Sequence, residues 1–388
     1  MKLFNVKRLN PGDKKEVEAE ERIENLNFNV FKLNNRPKTP KEQTLIICCF
    51  SEFGCEMVGA MYCIPRILRE NPGKYVIIVG WYGREYLYRH LADEFWELKE
   101  EHMWLREYAR AFHNESRNIA KIEKKLTQFG RVVDSKWLGR VAVGAKCNSC
   151  NNLWVQITKA KKCIKCESED ISQSLFGDVA HYKPTAKKIP SPSQEKMEKA
   201  KSYLGENPVG IFARARKCYG RNLQPEFYVN LIKLLEDKGC SPIWLGEKQT
   251  TLPCPVKHIF DFSRTLESRD LELTLAIVKQ LKFTIQFWTA SSRLSAIMGT
   301  PYIIFESPDQ IWGNGQEGYR LNLCTFGDKK MVICHYLNVF NDNKAGLDLA
   351  AKSIEEVEQG NYEDLFGLLE SDNAAQHMKN NNRERIGG

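Results

Sequence analysis

The chain has 388 residues, 42% hydrophobic and 11% aromatic, enough to build the cores of two ordinary domains with small additions. Its formal net charge of +8 favours anionic partners such as nucleotides, nucleic acid or acidic lipids, without choosing among them. No apolar run approaches the roughly 20 residues that cross a bilayer, and the N-terminal stretch MKLFNVKRLNPGDKKEVEAEE lacks the apolar core of a secretory signal. A soluble, cytoplasmic protein with no membrane span is therefore expected. Thirteen cysteines would suit a disulfide framework, but four form a metal-type pattern and most of the others, such as Cys48, Cys49, Cys55 and Cys63, lie in apolar segments, as in a reducing compartment.

Residues 1–43 read as a polar extension, with interleaved charges and prolines at Pro11, Pro37 and Pro40. The first strand is 44–50 (TLIICCF), followed by the turn Ser51-Glu52-Phe53-Gly54 and a helix from about 56 to 69. YVIIVG at 75–80 makes the next strand, and the charged, aromatic stretch 84–128 reads as helices on the outside of a parallel sheet. This first domain is expected to span 44–138 and to resume over 171–205.

Between those segments, 139–170 changes character to short strands, lysines and paired cysteines. Cys147-x-x-Cys150 and Cys163-x-x-Cys166 make two knuckles, each able to point two sulfurs at one ion, with LWVQIT as a strand between them. Four thiolates with no open position describe a closed, structural zinc ribbon, with iron as the alternative metal. Lys146, Lys159, Lys161, Lys162 and Lys165 surround it and Trp154 lies between the knuckles. Such a surface can grip a nucleic-acid backbone, or it is simply the solvated face of a metal-stapled insertion.

Residues 183–208, with Pro184, Pro190 and Pro192, read as a linker leading into or containing a short helix. A second domain is expected over 206–346. VGIFAR is a strand, 225–239 an amphipathic helix with proline at its start and glycine at its end, and SPIWLGE the next strand. A short strand at 258–262, a helix at 271–281, and the strand, helix and strand of 283–306 continue the alternation that builds a parallel sheet. A helical segment at 347–370 is expected to pack back across the first domain, ahead of a disordered polar tail at 371–388.

Two strand ends in the second domain suit the same guest. After VGIFAR comes a basic cluster of Arg214, Arg216, Lys217 and Arg221, and after FTIQFW come Thr289, Ser291 and Ser292 at the start of a helix. Guanidinium forks and a helix N-terminus both bind phosphate oxygens, so together they describe a diphosphate pocket.

Here the sequence resembles the C-terminal nucleotide-sugar domain of GT-B glycosyltransferases, especially the heptosyltransferases that use ADP-heptose. The residues that carry the resemblance are Asp261-Phe262-Ser263, RDLELTLAIVKQLKF and TASSRLSAIMGTP. The family's aspartate-threonine-glycine turn and helix histidine are absent: Gln286, Phe287, Trp288 and Thr289 stand near the turn, and Arg293 or Leu294 near the histidine. The sugar is therefore open. SEFGCEMVGAMYCIP resembles the family's first glycine loop, where an acidic residue acts as base, and Glu52 and Glu56 are its candidates here.

The resemblance implies an α/β fold of two Rossmann-like domains in GT-B architecture, interrupted by the zinc ribbon. It implies transfer of a sugar from a nucleotide-sugar donor to a hydroxyl of a glycan acceptor, without a catalytic divalent metal, and the ribbon's lysines add a hydroxylated nucleic-acid base as a second possible acceptor. Gly246, Glu247, Asp261, Phe262 and Ser263 are the nucleoside-binding candidates. The alternatives are a nucleic-acid-binding ribbon on a non-catalytic nucleotide fold and a scaffold whose ribbon binds protein.

Overall fold

The computed structural model describes residues 31–32, 39–50, 53–58, 60, 64–102, 117–135, 143–150, 153–156, 162–163, 165–174, 189–215, 223–248, 250–287, 290–306, 330–335 and 343–362. The chain divides into two compact units, 1–141 and 142–388. Among the described residues no helix is long and apolar enough to cross a membrane.

The first unit runs β1 (Phe31–Lys32), β2 (Thr44–Cys49), α1 (Phe53–Val58), α2 (Ile64–Glu70), β3 (Tyr75–Gly80), α3 (Glu85–Tyr88), β4 (Glu94–Leu98), α4 (Arg117–Leu126) and β5 (Arg131–Val133). Its sheet has the order β1-β4-β3-β2-β5; all neighbours are parallel except the short β1. Every residue of β2 is buried, as a strand covered on both faces requires. Ile46, Cys48, Phe50, Ile77, Val79 and Trp81 alternate onto one face and pack with Ile119, Ile122 and Leu126 of α4.

The sequence places β4 within a helical stretch, and the structure corrects this. Glu94 and Glu97 disguise an internal strand because their carboxylates are used locally. Glu94 accepts from the Tyr75 hydroxyl and from Trp96 Nε1, and Glu97 accepts the Gly83 N–H at 2.6 Å. The bond to Glu94 pushes the Tyr75 phenol up to about 12.

The cysteine-bearing insertion is an antiparallel sheet of β6 (Val143–Cys147), β7 (Leu153–Gln156) and β8 (Ile171–Ser174), in the order β7-β6-β8. Strand β8 lies just beyond the boundary expected at residue 170.

In the remainder of the second unit follow α5 (Gln194–Lys201), β9 (Pro208–Phe212), α6 (Pro225–Asp237), β10 (Ser241–Leu245), α7 (Leu271–Lys279), β11 (Phe283–Phe287), α8 (Ala290–Met298), β12 (Tyr302–Glu306), β13 (Met331–His335) and α9 (Asn343–Gln359). The sheet is wholly parallel, in the order β10-β9-β11-β12-β13. Proline opens α6 at a position where its missing N–H costs no helical bond, and the Asp270 carboxylate caps α7 by accepting the Leu273 N–H. The chain is thus an α/β protein with two Rossmann-like sheet units and a cysteine-bearing insertion.

Three placements differ from the sequence reading. Helix α5, expected with the first domain, packs on α7: the Ser193 N–H donates to Glu272 Oε1 at 2.9 Å, and Lys196 Nζ meets Asp270 Oδ2 at 2.7 Å. Helix α9, expected across the first domain, buries Ala350, Ile354 and Val357 in the second unit's own core beside Phe227, Leu231 and Ile232. Residues 258–262 form no strand; one bridge joins Asp261 to Trp244, and a 3-10 turn begins at Phe262.

Candidate functional site

In the second sheet the strand order reverses between β9 and β11, which leave in opposite directions from a shared edge. In open parallel sheets a crevice forms at the carboxyl ends of such strands, and ligands settle there. Strands β9 and β11 pair in parallel, with Gln286 opposite Phe212, so the Arg214 loop and the start of α8 follow neighbouring strands. The sequence treats that adjacency as an expectation; the structure pairs the two strands.

Arg214 is 8% exposed, and its backbone is held on both sides. It bridges Thr251, the flanking Ala215 N–H reaches Thr250 O at 2.8 Å, and Leu252 N–H reaches Ala213 O at 3.0 Å. The Arg214 backbone also bonds the buried Tyr228 hydroxyl, whose proton is held more tightly than usual by burial. A buried cation on a fixed backbone can serve as a preorganised anion contact.

Helix α8 follows the neighbouring strand β11, with Ser291 half-buried and Arg293 9% exposed. A polar seam seats the helix on β11: Thr284 Oγ1 and Ser295 Oγ lie 2.8 Å apart, and Gln286 Nε2 donates to Ser295 Oγ at 3.4 Å. Arg216, Lys217, Arg221 and Thr289, and the side chain of Ser292, lie outside the described residues.

The nucleoside candidates form a knot around the end of β10. Asp261 Oδ2 accepts the Cys254 N–H at 3.0 Å, and Oδ1 accepts from Ser263 Oγ. Arg264 crosses the same turn, donating to Lys248 O and Thr251 O at 2.8 Å each. Phe262 and Ser263 are buried, and Glu247 precedes the turn. Gly246 has φ +130°, and a Cβ there would sit 2.1 Å from Thr251 Oγ1, so glycine is needed for this loop to reach the strand-like extension around Arg214. Gly246→Ala is expected to destabilise the protein by about 1–3 kcal/mol, measured as a shift in denaturant midpoint with an unchanged slope. An unaltered midpoint would show that the loop relaxes freely.

At the carboxyl end of β2 in the first unit, Glu56 of α1 is fully buried, with Oε2 3.4 Å from Arg84 Nε; Arg84 is itself buried. The Arg84 guanidinium carbon stands 4.0 Å from the centre of the Phe53 ring. Tyr88 beside them has its proton held well above the usual range, first by burial and then by the charges of Cys49 and Glu56. Sequence reading finds Glu56 but misses Arg84, which lies on the loop after a different strand. Glu52 lies outside the described residues.

The four ribbon cysteines converge as their spacing predicts. All four Sγ atoms lie within 4.8 Å of one another, with Cys147–Cys166 at 3.5 Å and Cys150–Cys163 at 3.6 Å. Zinc–sulfur bonds of about 2.3 Å around a tetrahedron put sulfurs about 3.8 Å apart, so the cluster is close to the size of that cage. Burial opposes ionisation of Cys163, but the backbone N–H groups of Cys166 and Lys165 and the neighbouring thiols outweigh it and bring the thiol down to about 6. The convergence of four sulfurs at this spacing fits a metal bound as tetrathiolate. Around the second knuckle, exposed Lys162 and Lys165 are accompanied by exposed Glu167, Glu169 and Asp170, and Lys162 lies 3.8 Å from Glu169.

No protein-family profile and no curated protein matches the chain. Solved structures similar to it include a glycosyl transferase family 9 protein from Veillonella parvula DSM 2008, 10% identical, covering 89% of this chain and 99% of that one at a TM-score of 0.43. Another is the E. coli ADP-heptose lps heptosyltransferase II, 9% identical, covering 81% and 98% at 0.45. A third is the E. coli heptosyltransferase WaaC with ADP, 12% identical, covering 81% and 99% at 0.44. Likeness at this level assigns no activity, and the functional reading rests on the chain's own residues.

Proposed function

We propose that the chain is a nucleotide-sugar-dependent glycosyltransferase of GT-B type whose second unit holds the donor's diphosphate. The observation that carries this reading is the pairing of β9 with β11 at the strand-order reversal, so that the segment with buried Arg214 and the helix α8 follow neighbouring parallel strands. In the sequence Arg216, Lys217 and Arg221 follow Arg214, Thr289 directly precedes α8, and Ser291 and Ser292 fall in its first turn. As the bond from the sugar to the diphosphate breaks, charge accumulates on the leaving oxygens, and cations with oriented N–H groups stabilise it without a divalent metal. The nucleoside would contact the turn of Gly246, Glu247 and Asp261–Ser263.

A carboxylate, Glu52 or Glu56, would take the proton from the acceptor hydroxyl. The acceptor is read as a glycan, in line with the heptosyltransferase resemblance, and the mixed charge of the second knuckle adds no support for nucleic acid. Cys147, Cys150, Cys163 and Cys166 would hold a structural zinc, which when bound supplies a folding cross-link and no open coordination position. A cytoplasmic location follows the same reading.

The test is a mass-spectrometric screen of the purified protein against nucleotide sugars, with and without glycan and DNA acceptors. The expected result is release of nucleoside diphosphate from one donor and a matching sugar mass on a glycan hydroxyl. Failure of every nucleotide sugar and every nucleoside diphosphate to bind would overturn the donor-site reading. Transfer to DNA, or salt-sensitive DNA binding without donor turnover, would replace the glycan reading.

A further inference from the structure

A second basic concavity lies at the opposite, amino-terminal end of the first unit's sheet, away from Glu56. A cavity of about 260 Å³ is lined by Lys41, Glu42, Thr44, Leu45, Asn71, Lys74, Gly130 and Arg131. Three of these residues are cationic and one is acidic, and among the described residues none of the three cations has a carboxylate within ion-pair distance.

The basic groups are positioned. Asn71, just past the end of α2, donates from Nδ2 to Ile67 O at 2.8 Å and so turns Oδ1 toward Arg131 Nη1, 3.1 Å away. One arm of the guanidinium is anchored, and its other N–H groups remain for a guest. Lys74 Nζ donates to Glu42 O at 2.6 Å, tying the ammonium across to the segment that carries Lys41. Thr44 Oγ1 is spent on Pro40 O at 3.0 Å and fixes that segment to the start of β2.

We infer that this cavity binds the phosphoryl group of a small molecule, at a site separate from the proposed donor diphosphate site. An excess of fixed positive charge in a concave space matches a phosphate dianion, and an oriented guanidinium adds directional bonds that a lysine patch lacks. The volume exceeds that of phosphate alone and leaves room for the part of the ligand that carries it. A hollow of this size suits a small molecule better than a polymer backbone, which tracks along an extended groove.

The experiment is titration of the full-length, isotope-labelled protein with inorganic phosphate, followed through the amide signals of Thr44, Asn71, Gly130 and Arg131. Saturable shifts are expected there, and sulfate, but not chloride at equal ionic strength, should compete. Arg131→Ala and Lys74→Ala alter exposed side chains, so the fold should persist, and each should weaken phosphate binding by about tenfold. Arg216→Ala, in the second unit, should leave these signals and their midpoint unchanged. The inference is overturned if phosphate moves none of these signals, if chloride acts as well as phosphate, or if Arg131→Ala and Lys74→Ala titrate like the parent protein. Tighter binding of a DNA oligonucleotide than of phosphate at the same signals would also overturn it, in favour of a nucleic-acid surface.

Discussion

Cys163→Ser is expected to abolish tight metal binding and to unfold the ribbon while leaving the second sheet intact. The reason lies in how little else holds the ribbon. Its buried cluster among the described residues consists of Cys147 and Cys163, with Cys150 and Ile171 packed against them, so the ligands are themselves the core. Structural zinc supplies on the order of 10 kcal/mol to small domains of this kind, far more than this cluster can gain from apolar burial. The ladders of β6 with β7 and β8 should then lose hydrogen-exchange protection, whereas β9 and β11, built on their own core, should keep theirs. Elemental analysis should find one zinc in the parent protein and none in the variant, and a chelator should reproduce the loss of protection. Parent protein free of metal, with a ribbon protected equally in both forms, would reject the structural-zinc reading.

The ribbon was legible because two knuckles at fixed spacing leave few other uses for four thiols, and the spacing is local. The second sheet was legible for a related reason: helix boundaries such as the proline that opens α6 and the aspartate before α7 are written in neighbouring residues. Long-range choices were not. An amphipathic helix declares that one face is buried without naming its partner, so the sequence alone gives α5 and α9 to the first domain, whereas they pack on α7 and in the second core. Strand β4 was hidden because Glu94 and Glu97 count as polar in any pattern, although Tyr75, Trp96 and Gly83 satisfy them. The Glu56–Arg84 pair was half visible: a carboxylate after a glycine loop draws notice, but nothing local marks the arginine that meets it.

That pair sharpens the contrast between the two candidate bases. Glu56→Gln is expected to lower stability by on the order of 3 kcal/mol, because it removes a charged partner of the buried Arg84. Glu52→Gln, just before α1 in the sequence, should leave the unfolding midpoint where it is. Turnover per folded molecule then separates structure from chemistry: the true base loses kcat while donor affinity persists, and the other carboxylate does not.

On the donor side, Arg216→Ala should cost about 2–4 kcal/mol in the barrier, a rate loss of roughly 30- to 1000-fold. Donor affinity should fall less, since the contact strengthens as the diphosphate leaves. Alanine at both Ser291 and Ser292 should weaken donor binding by altering the first turn of α8 at the reversal point. Calorimetric titration with the active nucleotide sugar, beside turnover at saturating donor, measures both quantities on the same preparations. If Arg216→Ala and the double serine variant retain the parent's affinity and rate, no diphosphate sits between these strand ends, and sugar transfer loses the geometry that supports it.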